Sequence, residues 1–385
     1  MVTCLLVHPG AELFGADRML YESAMAVQGA GRDVVVALAE TGPLVTALES
    51  KGIRTVVVPM FVLRKALLRP KNWPELVSLF ARGMVASWRL VSRIKPSSIY
   101  VSTVTLPQWP LLARLRRIPA VTHVHEAEGA ASRWVNFAIY LPHLLSKRVL
   151  VNSHFSLATI RRSVPVLARR SRIVDNGVAG PPASPSPPRQ RLDGLLKILF
   201  LGRLSPRKGP DLIIEAAREL LHRGINVSVV LAGSTFRGYE WYESELREVI
   251  RSAGLVEEDV LVGFQESIWP LLEDCDVLVV PSRLDEPFGN TAVEGVLAHR
   301  PIIVSDTTGL REAAAGYMTA QLVERDNPVA LADALQRLVV DWDNVGGRVH
   351  NSAEKALNRH DPSVYRQRIN EAIDELVTPT STTRR

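Results

Sequence analysis

Short apolar runs alternate with longer amphipathic stretches along almost the whole chain. In the first half the apolar runs predict strands at 4–8, 33–39, 55–59, 98–102, 120–125, 149–152 and 173–174, with helical periodicity between them, as at 16–30 and 76–94. In the second half they predict strands at 197–201, 227–232, 260–262, 277–280, 301–304 and 320–323, with helices at 210–223, 243–253, 291–298 and 329–340. Strands that alternate with helices argue for a parallel sheet covered on both faces. A last helix is expected at about 362–376, with no strand after it.

The alternation is interrupted once, by Gly180-Pro-Pro-Ala-Ser-Pro-Ser-Pro-Pro-Arg-Gln190. Such proline density suits neither a helix nor a central strand and reads as a linker. The expected organisation is a doubly wound domain over 1–180, a linker over 181–190 and a second doubly wound domain over 191–360. A helix over 361–377 packs back onto the first domain, and 378–385 is a disordered tail. In sheets of this kind ligands bind where the carboxyl ends of the strands open into loops.

Composition is that of a globular protein: 385 residues, 46% hydrophobic and 22% charged, long enough for two cores. Cys4 and Cys275 lie in apolar runs and are expected to be buried and reduced, which suits a cytoplasmic protein. The amino terminus lacks the basic region and long apolar run of a signal peptide. No stretch of about 18 apolar residues is present to span a membrane. The net charge of +6 divides unevenly: residues 1–190 carry 24 Lys/Arg and 10 Asp/Glu, net +14, and the remainder 22 and 30, net −8. The first half is therefore expected to meet something anionic, whether nucleic acid, a membrane surface or a lipid phosphate.

Two loops carry the chemistry. Gly202-Arg203-Leu-Ser-Pro-Arg-Lys208-Gly-Pro runs from a strand into a helix, and cations beside a helix amino terminus suit phosphate oxygens. Ser282-Arg-Leu-Asp-Glu286-Pro-Phe288-Gly289-Asn290-Thr291-Ala-Val-Glu294 follows another strand. Gly289 is expected to allow close approach of a ligand, Asn290 or Thr291 to cap the next helix, and the N–H groups of Phe288 to Thr291 to face a diphosphate. Carboxylates on either side, Glu286 and Glu294, suit sugar hydroxyls.

The spacing Glu286-x7-Glu294 resembles the hallmark of the retaining glycosyltransferases of family 4. So, in order along the chain, do Phe14-Gly-Ala-Asp-Arg18, Thr122-His-Val-His-Glu126, Val151-Asn-Ser153, Asp175-Asn-Gly-Val178, the loop 202–209 and Gly309-Leu-Arg-Glu312. The resemblance implies the GT-B fold, two Rossmann-like α/β domains facing each other across a cleft. It implies transfer of a sugar from a nucleotide-diphosphate-sugar. By position, Arg203 and Lys208 would hold the donor pyrophosphate and stabilise the leaving group. Glu294 would accept hydrogen bonds from the ribose, and Glu286 would contact the transferred sugar. The backbone of Phe288, Gly289, Asn290 and Thr291 would support phosphates and sugar. Gly15 would meet the donor phosphates from the first domain, and His125 would sit near the reacting sugar. Of the two histidines in their motif, His125, beside Glu126, is the better match; His123 is expected to point to the opposite face of the strand.

No cofactor and no metal are expected. The Asp-x-Asp strings Asp274-Cys-Asp276 and Asp341-Trp-Asp343 do not sit where donor phosphates should lie, and Arg203 and Lys208 can neutralise a diphosphate. Only Glu126 and Glu128 are near enough in sequence to act as a nucleophile, so a front-face reaction with retention is preferred over double displacement. A dehydrogenase would want Gly-x-Gly-x-x-Gly after a strand, which neither half has. A non-catalytic sugar-nucleotide-binding or scaffold protein of the same fold is the alternative.

Residues 61–98 hold eight cations (Arg64, Lys65, Arg69, Lys71, Arg82, Arg89, Arg93, Lys95) against the single acid Glu75, interleaved with Trp73, Phe80 and Trp88. This favours peripheral contact with an anionic membrane at its cytoplasmic face, or an ordinary packed helix with solvated arginines. A glycan or lipid-linked acceptor is expected on the first domain. No nucleic-acid recognition module accompanies the basic half, so nucleic acid is not expected as a partner.

Overall fold

The computed structural model describes residues 2–13, 15–126, 132–235 and 238–377, with Lys65 described by its backbone alone. Phe14, Glu128 and the tail 378–385 lie outside the described residues.

The chain forms two compact units: Met1–Gly177 with Pro362–Arg385, and Val178–Asp361. In unit 1 the strands are β1 (Thr3–His8), β2 (Asp33–Leu38), β3 (Arg54–Val57), β4 (Ser98–Val101), β5 (Ala120–Val124), β6 (Arg148–Val151) and β7 (Ser171–Ile173). They pair in parallel in the order β3-β2-β1-β4-β5-β6-β7. In unit 2 they are β8 (Leu195–Leu201), β9 (Asn226–Ala232), β10 (Leu261–Gly263), β11 (Val277–Val280), β12 (Ile302–Ser305) and β13 (Ala320–Val323), parallel in the order β10-β9-β8-β11-β12-β13. In both sheets the strand order reverses beside the first strand of the unit, which is the doubly wound arrangement.

Both faces of each sheet are buried, and the period of two along a strand divides its side chains between them. On β1, Cys4 and Leu6 join one core with Leu20, Ala24 and Val27 of the helix Gly15–Gly29, while Leu5 and Val7 join another with Leu90, Val91 and Trp109. On β8, Leu196, Ile198 and Phe200 face one core, and Leu199 and Leu201 the other.

The final helix, Pro362–Val377, belongs to unit 1. Its apolar stripe Tyr365, Ile369, Ala372, Ile373 and Leu376 is buried in the same core as Cys4 and Leu6. Arg32–Asp374, Arg366–Glu22 and Arg368–Asp175 ion pairs flank it. The proline-rich stretch lies in unit 2, where Arg189 bonds Asp276 and the Leu195 carbonyl, and Trp342 donates to the Arg189 carbonyl at 2.9 Å.

Candidate active site

In unit 2 the loops after β8 and β11 are tied together. Lys208 Nζ lies 2.9 Å from Glu286 Oε1, and Arg207 3.5 Å from Glu286 Oε2. Ser282 Oγ donates to Glu286 Oε1 at 2.7 Å. Burial alone would raise the Glu286 carboxyl, but the charges of Lys208 and then Arg207 outweigh it and hold the group below its usual range. Arg203 and Lys208 line one cavity of about 480 Å³ with Ser205, Arg207, Tyr239 and Arg283, a volume within the range of small-molecule sites.

The loop geometry depends on Arg283, which the sequence reading passed over. Its guanidinium donates to the Pro206 carbonyl (3.1 Å) and to Asp211 (2.8 Å) and pairs with Asp326. Its backbone N–H donates to the Arg207 carbonyl at 2.9 Å. Arg207 in turn donates to the Asp285 carbonyl, and Asp285 accepts from the N–H and hydroxyl of Thr308. The adjacent helix, Asn290–Leu297, starts at Gly289 with no side-chain cap. Gly289 has φ 150°, and a Cβ there would meet Leu310 Cδ2 at 2.7 Å. Packing against Leu310 and an unusual backbone angle favour glycine here.

The predicted residues of unit 2 fall out as follows. Arg203 and Lys208 share the cavity, and Lys208 touches Glu286. Phe288 has its side chain in the core, against His360, leaving its backbone as its only route to a ligand. Asn290 and Thr291 open the helix half-buried, and Glu294 lies buried one turn further in.

Gly15 and His125 belong to unit 1. Gly15 begins its first helix and is exposed. His125 follows the end of β5 and is 5% exposed. The expectation that His123 faces away is corrected: residues two apart on a strand share a face, and the two rings lie 4.0 Å apart. Burial keeps both imidazoles neutral, His123 pushed down to about 3 and His125 well below its ordinary value, the latter helped by its histidine neighbours. Burial raises the Glu126 carboxyl, although it accepts hydrogen bonds from the Thr103 hydroxyl and from Val104 N and His125 N. At the end of β1, His8 Nε2 is 2.7 Å from Asp17 Oδ1. Asp17 stood in the glycine-loop motif but gave no sign of its partner nine residues earlier.

Three of the four aspartates in the two Asp-x-Asp strings are held by protein partners. Asp276 is bound by Arg189 and by Lys197 N, Asp274 by Lys197, and Asp341 by Asn344 and Arg348. Among the described residues no group of three His, Cys, Asp or Glu side chains is arranged to hold a metal. Cys4 and Cys275 are buried and unpaired, their thiols pushed up by burial to about 11 and about 12.

Residues 15–179 match Glycosyltransferase Family 4, and residues 187–356 match Glycosyl transferases group 1. An uncharacterized glycosyltransferase of Methanocaldococcus jannaschii is 34% identical over 38% of this chain and 36% of its own length. The alpha-D-kanosaminyltransferase of Streptomyces kanamyceticus is 30% identical over 40% of this chain and 39% of its own. The chain thus spans about two-fifths of the curated relatives it matches. Among solved structures, Anabaena HepE in complex with UDP-glucose superposes with TM-score 0.81 at 21% identity, covering 98% of this chain and all of that one. A Rickettsia africae glycosyltransferase superposes with TM-score 0.78 at 17% identity, covering 98% and 99%. With the fold matched over nearly its full length and both halves matched in sequence, the chain belongs to the GT-B glycosyltransferases of family 4.

Proposed function

We propose that the protein transfers a sugar from a nucleoside diphosphate sugar to a hydroxyl of a glycan or lipid-linked acceptor, without a metal and with retention of configuration. The observation that carries this reading is the pairing of Glu286 with Lys208, which lines one cavity together with Arg203. Arg203, Lys208 and the N–H groups from Phe288 to Thr291 take the diphosphate. Their charge is fixed in place before the bond breaks, which is where electrostatic catalysis gains most. Glu286, kept ionised by Lys208 and Arg207, accepts hydroxyls of the transferred sugar, and Glu294 those of the ribose. On unit 1, Gly15 leaves room at the start of its helix for the donor phosphates. His125 offers a neutral imidazole to the reacting sugar, so no fixed cation opposes an oxocarbenium-like state. The leaving phosphate oxygen takes the acceptor proton.

A thermal-shift screen of nucleotide sugars, beginning with UDP-glucose, is the test: the right donor raises the melting temperature by mass action. Release of nucleoside diphosphate on adding acceptor then establishes transfer, and the anomeric configuration of the product establishes retention. Binding without turnover would support a non-catalytic sugar-nucleotide protein instead. No stabilisation by any nucleotide sugar would sink both readings.

A second reading concerns location. The helix Trp73–Ile94 buries no residue before Gly83, and Trp73 (58%) and Val77 (63%) are exposed among the exposed cations Arg69, Lys71, Arg82 and Arg89. This supports peripheral binding to an anionic membrane at its cytoplasmic face. No described helix is long and apolar enough to cross a membrane. Sedimentation with anionic liposomes at low salt, released at high salt, is the expected result; no sedimentation at any salt would remove the idea.

A further inference from the structure

We infer that Tyr100 and His123 are positioning residues for His125, in a chain that begins on the C-terminal helix and fixes which nitrogen of His123 carries the proton. The inference rests on the reading of His125 as a sugar-facing group.

Four polar side chains inside unit 1, all fully buried, are joined to one another and to a helix carbonyl. Tyr100 Oη is 2.6 Å from His123 Nδ1 and 3.0 Å from Ser23 Oγ. Ser23 Oγ is 2.7 Å from Tyr365 Oη. Ser23 and Tyr365 each reach the Met19 carbonyl, at 2.8 and 3.2 Å. Each hydroxyl has one proton to give. If Tyr100 donated to Nδ1, three protons would serve five contacts, and the Nε2–H of His123 would be a buried donor with no partner among the described residues. If Nδ1–H donates to Tyr100, Tyr100 donates to Ser23, Ser23 to the Met19 carbonyl, and Tyr365 to Ser23 or to the same carbonyl. Four contacts are then filled, and what is left over is a lone pair on Nε2. Orphaned buried donors are rarer in proteins than under-used acceptors. The second arrangement therefore holds, and His123 is the Nδ1–H tautomer.

This matters for His125 because neither of its ring nitrogens has a hydrogen-bond partner among the described residues. Its backbone is tied, N–H to Glu126 and carbonyl to the Asn152 side chain. Its ring is held by packing on His123, 4.0 Å away at a tilt of 39°. An imidazole locked by a hydroxyl chain thus props up a second imidazole whose buried nitrogens carry no hydrogen bond among the described residues. The last element of the chain contributes through Tyr365, whose ring stacks on His123 at 6.1 Å.

The test is the imidazole nitrogen NMR spectrum near neutral pH, with signals assigned from His123→Gln and His125→Asn. In the unmodified protein His123 should show a protonated Nδ1 and a bare Nε2. Tyr100→Phe should move the proton to Nε2 and shift or broaden the His125 signals; Tyr365→Phe should perturb the same signals less. With the donor identified by thermal shift, Tyr100→Phe should lower kcat about tenfold at unchanged donor KM, the mark of a misplaced group rather than a lost contact. Should Tyr100→Phe not fold, Ser23→Ala, which keeps all three rings, takes its place. An Nε2–H tautomer in the unmodified protein, or His125 signals indifferent to these changes, overturns the proposal. Full turnover by His125→Asn would instead overturn the reading of His125 on which it rests, whatever the tautomer of His123.

Discussion

Both units place polar groups at the carboxyl ends of parallel strands, yet they handle charge in opposite ways. Unit 2 keeps charge and pairs it: Glu286 is buried, and Lys208, Arg207 and Ser282 hold it ionised. Unit 1 removes charge: His123 and His125 are buried without a carboxylate partner and stay neutral, and burial raises the Glu126 carboxyl. A site that must grip a diphosphate needs fixed charges that are already compensated. On the reading proposed above, unit 1 meets a sugar centre gaining positive charge, and neutral imidazoles there add no opposing cation. The same fold is thus tuned twice by the same two levers, burial and pairing.

The largest effect should follow from breaking the pair in unit 2. Lys208→Ala removes the proposed phosphate contact and the partner of a buried carboxylate together. Turnover should fall about 100- to 1,000-fold, and the donor-free protein should lose about 1–3 kcal/mol, read by steady-state kinetics and chemical unfolding. Lys208→Ala with normal turnover would remove unit 2 from the comparison.

Next is a change that leaves every charge in place. Gly309 packs against the loop, and a Cβ there would sit 1.9 Å from the Glu286 carbonyl oxygen. Gly309→Ala must push Glu286 away and should cost about 2 kcal/mol, with weaker donor binding by calorimetry. Ala at a half-buried helix position without such a neighbour would be harmless, so an unaffected protein would mean that the loop has slack.

How much of this was legible in advance depends on the range of the interaction. Strand β11 (Val277–Val280) was placed to the residue, and the helix Asn290–Leu297 to within one, because apolar periodicity is written in neighbouring residues; the cap expected from Asn290 or Thr291 is absent, since the helix starts at Gly289 with no side-chain cap. Glu286 and Lys208 could each be singled out because each lies in a local motif, but their contact with each other could not. The bond from Arg283 to Asp211 spans 72 residues and that from Ser23 to Tyr365 spans 342, and no local pattern announces either. His8 and Asp17 are close in sequence but needed the turn after β1 to bring them together. His123 was misplaced for a different reason: its spacing from His125 puts both on one face, and the period of two was applied in the wrong sense.

The two regions should also separate along the pH axis. His123 and His143 are depressed to about 3 and about 4, mainly by burial. Their unfolded forms take up a proton from about pH 6.5 downward while the folded forms do not. Stability is therefore lost as pH falls through that window, about 1.4 kcal/mol per pH unit for each histidine. Glu286 is likewise depressed, against the raising effect of burial, so its contribution is lost only lower, below about pH 4.5. Glu126, raised by burial, acts the other way and is most favourable at low pH. Urea unfolding at pH 7, 6 and 5 should show unit 1 weakening first, and His123→Gln should flatten that slope. Equal slopes with and without His123 would show that it is not held neutral.

The smallest effect belongs to the surface, where charge is neither paired nor removed but left in water. Arg82 is exposed on the helix Trp73–Ile94, on the turn that follows Val77 and Leu79. It has no described ion-pair partner to lose, so Arg82→Gln should change folding stability by less than about 0.5 kcal/mol. Near an anionic bilayer the same cation is worth about 1 kcal/mol, so liposome affinity at low salt should drop about fivefold while donor binding stays unchanged. Arg218, on the outer side of the helix Pro210–His222 of unit 2, supplies the control: exposed and basic, but without an apolar neighbourhood, it should leave liposome binding unaltered when changed to glutamine. If the two substitutions weaken sedimentation equally, the attraction comes from net charge alone, and the exposed tryptophan face of unit 1 has no special part in it.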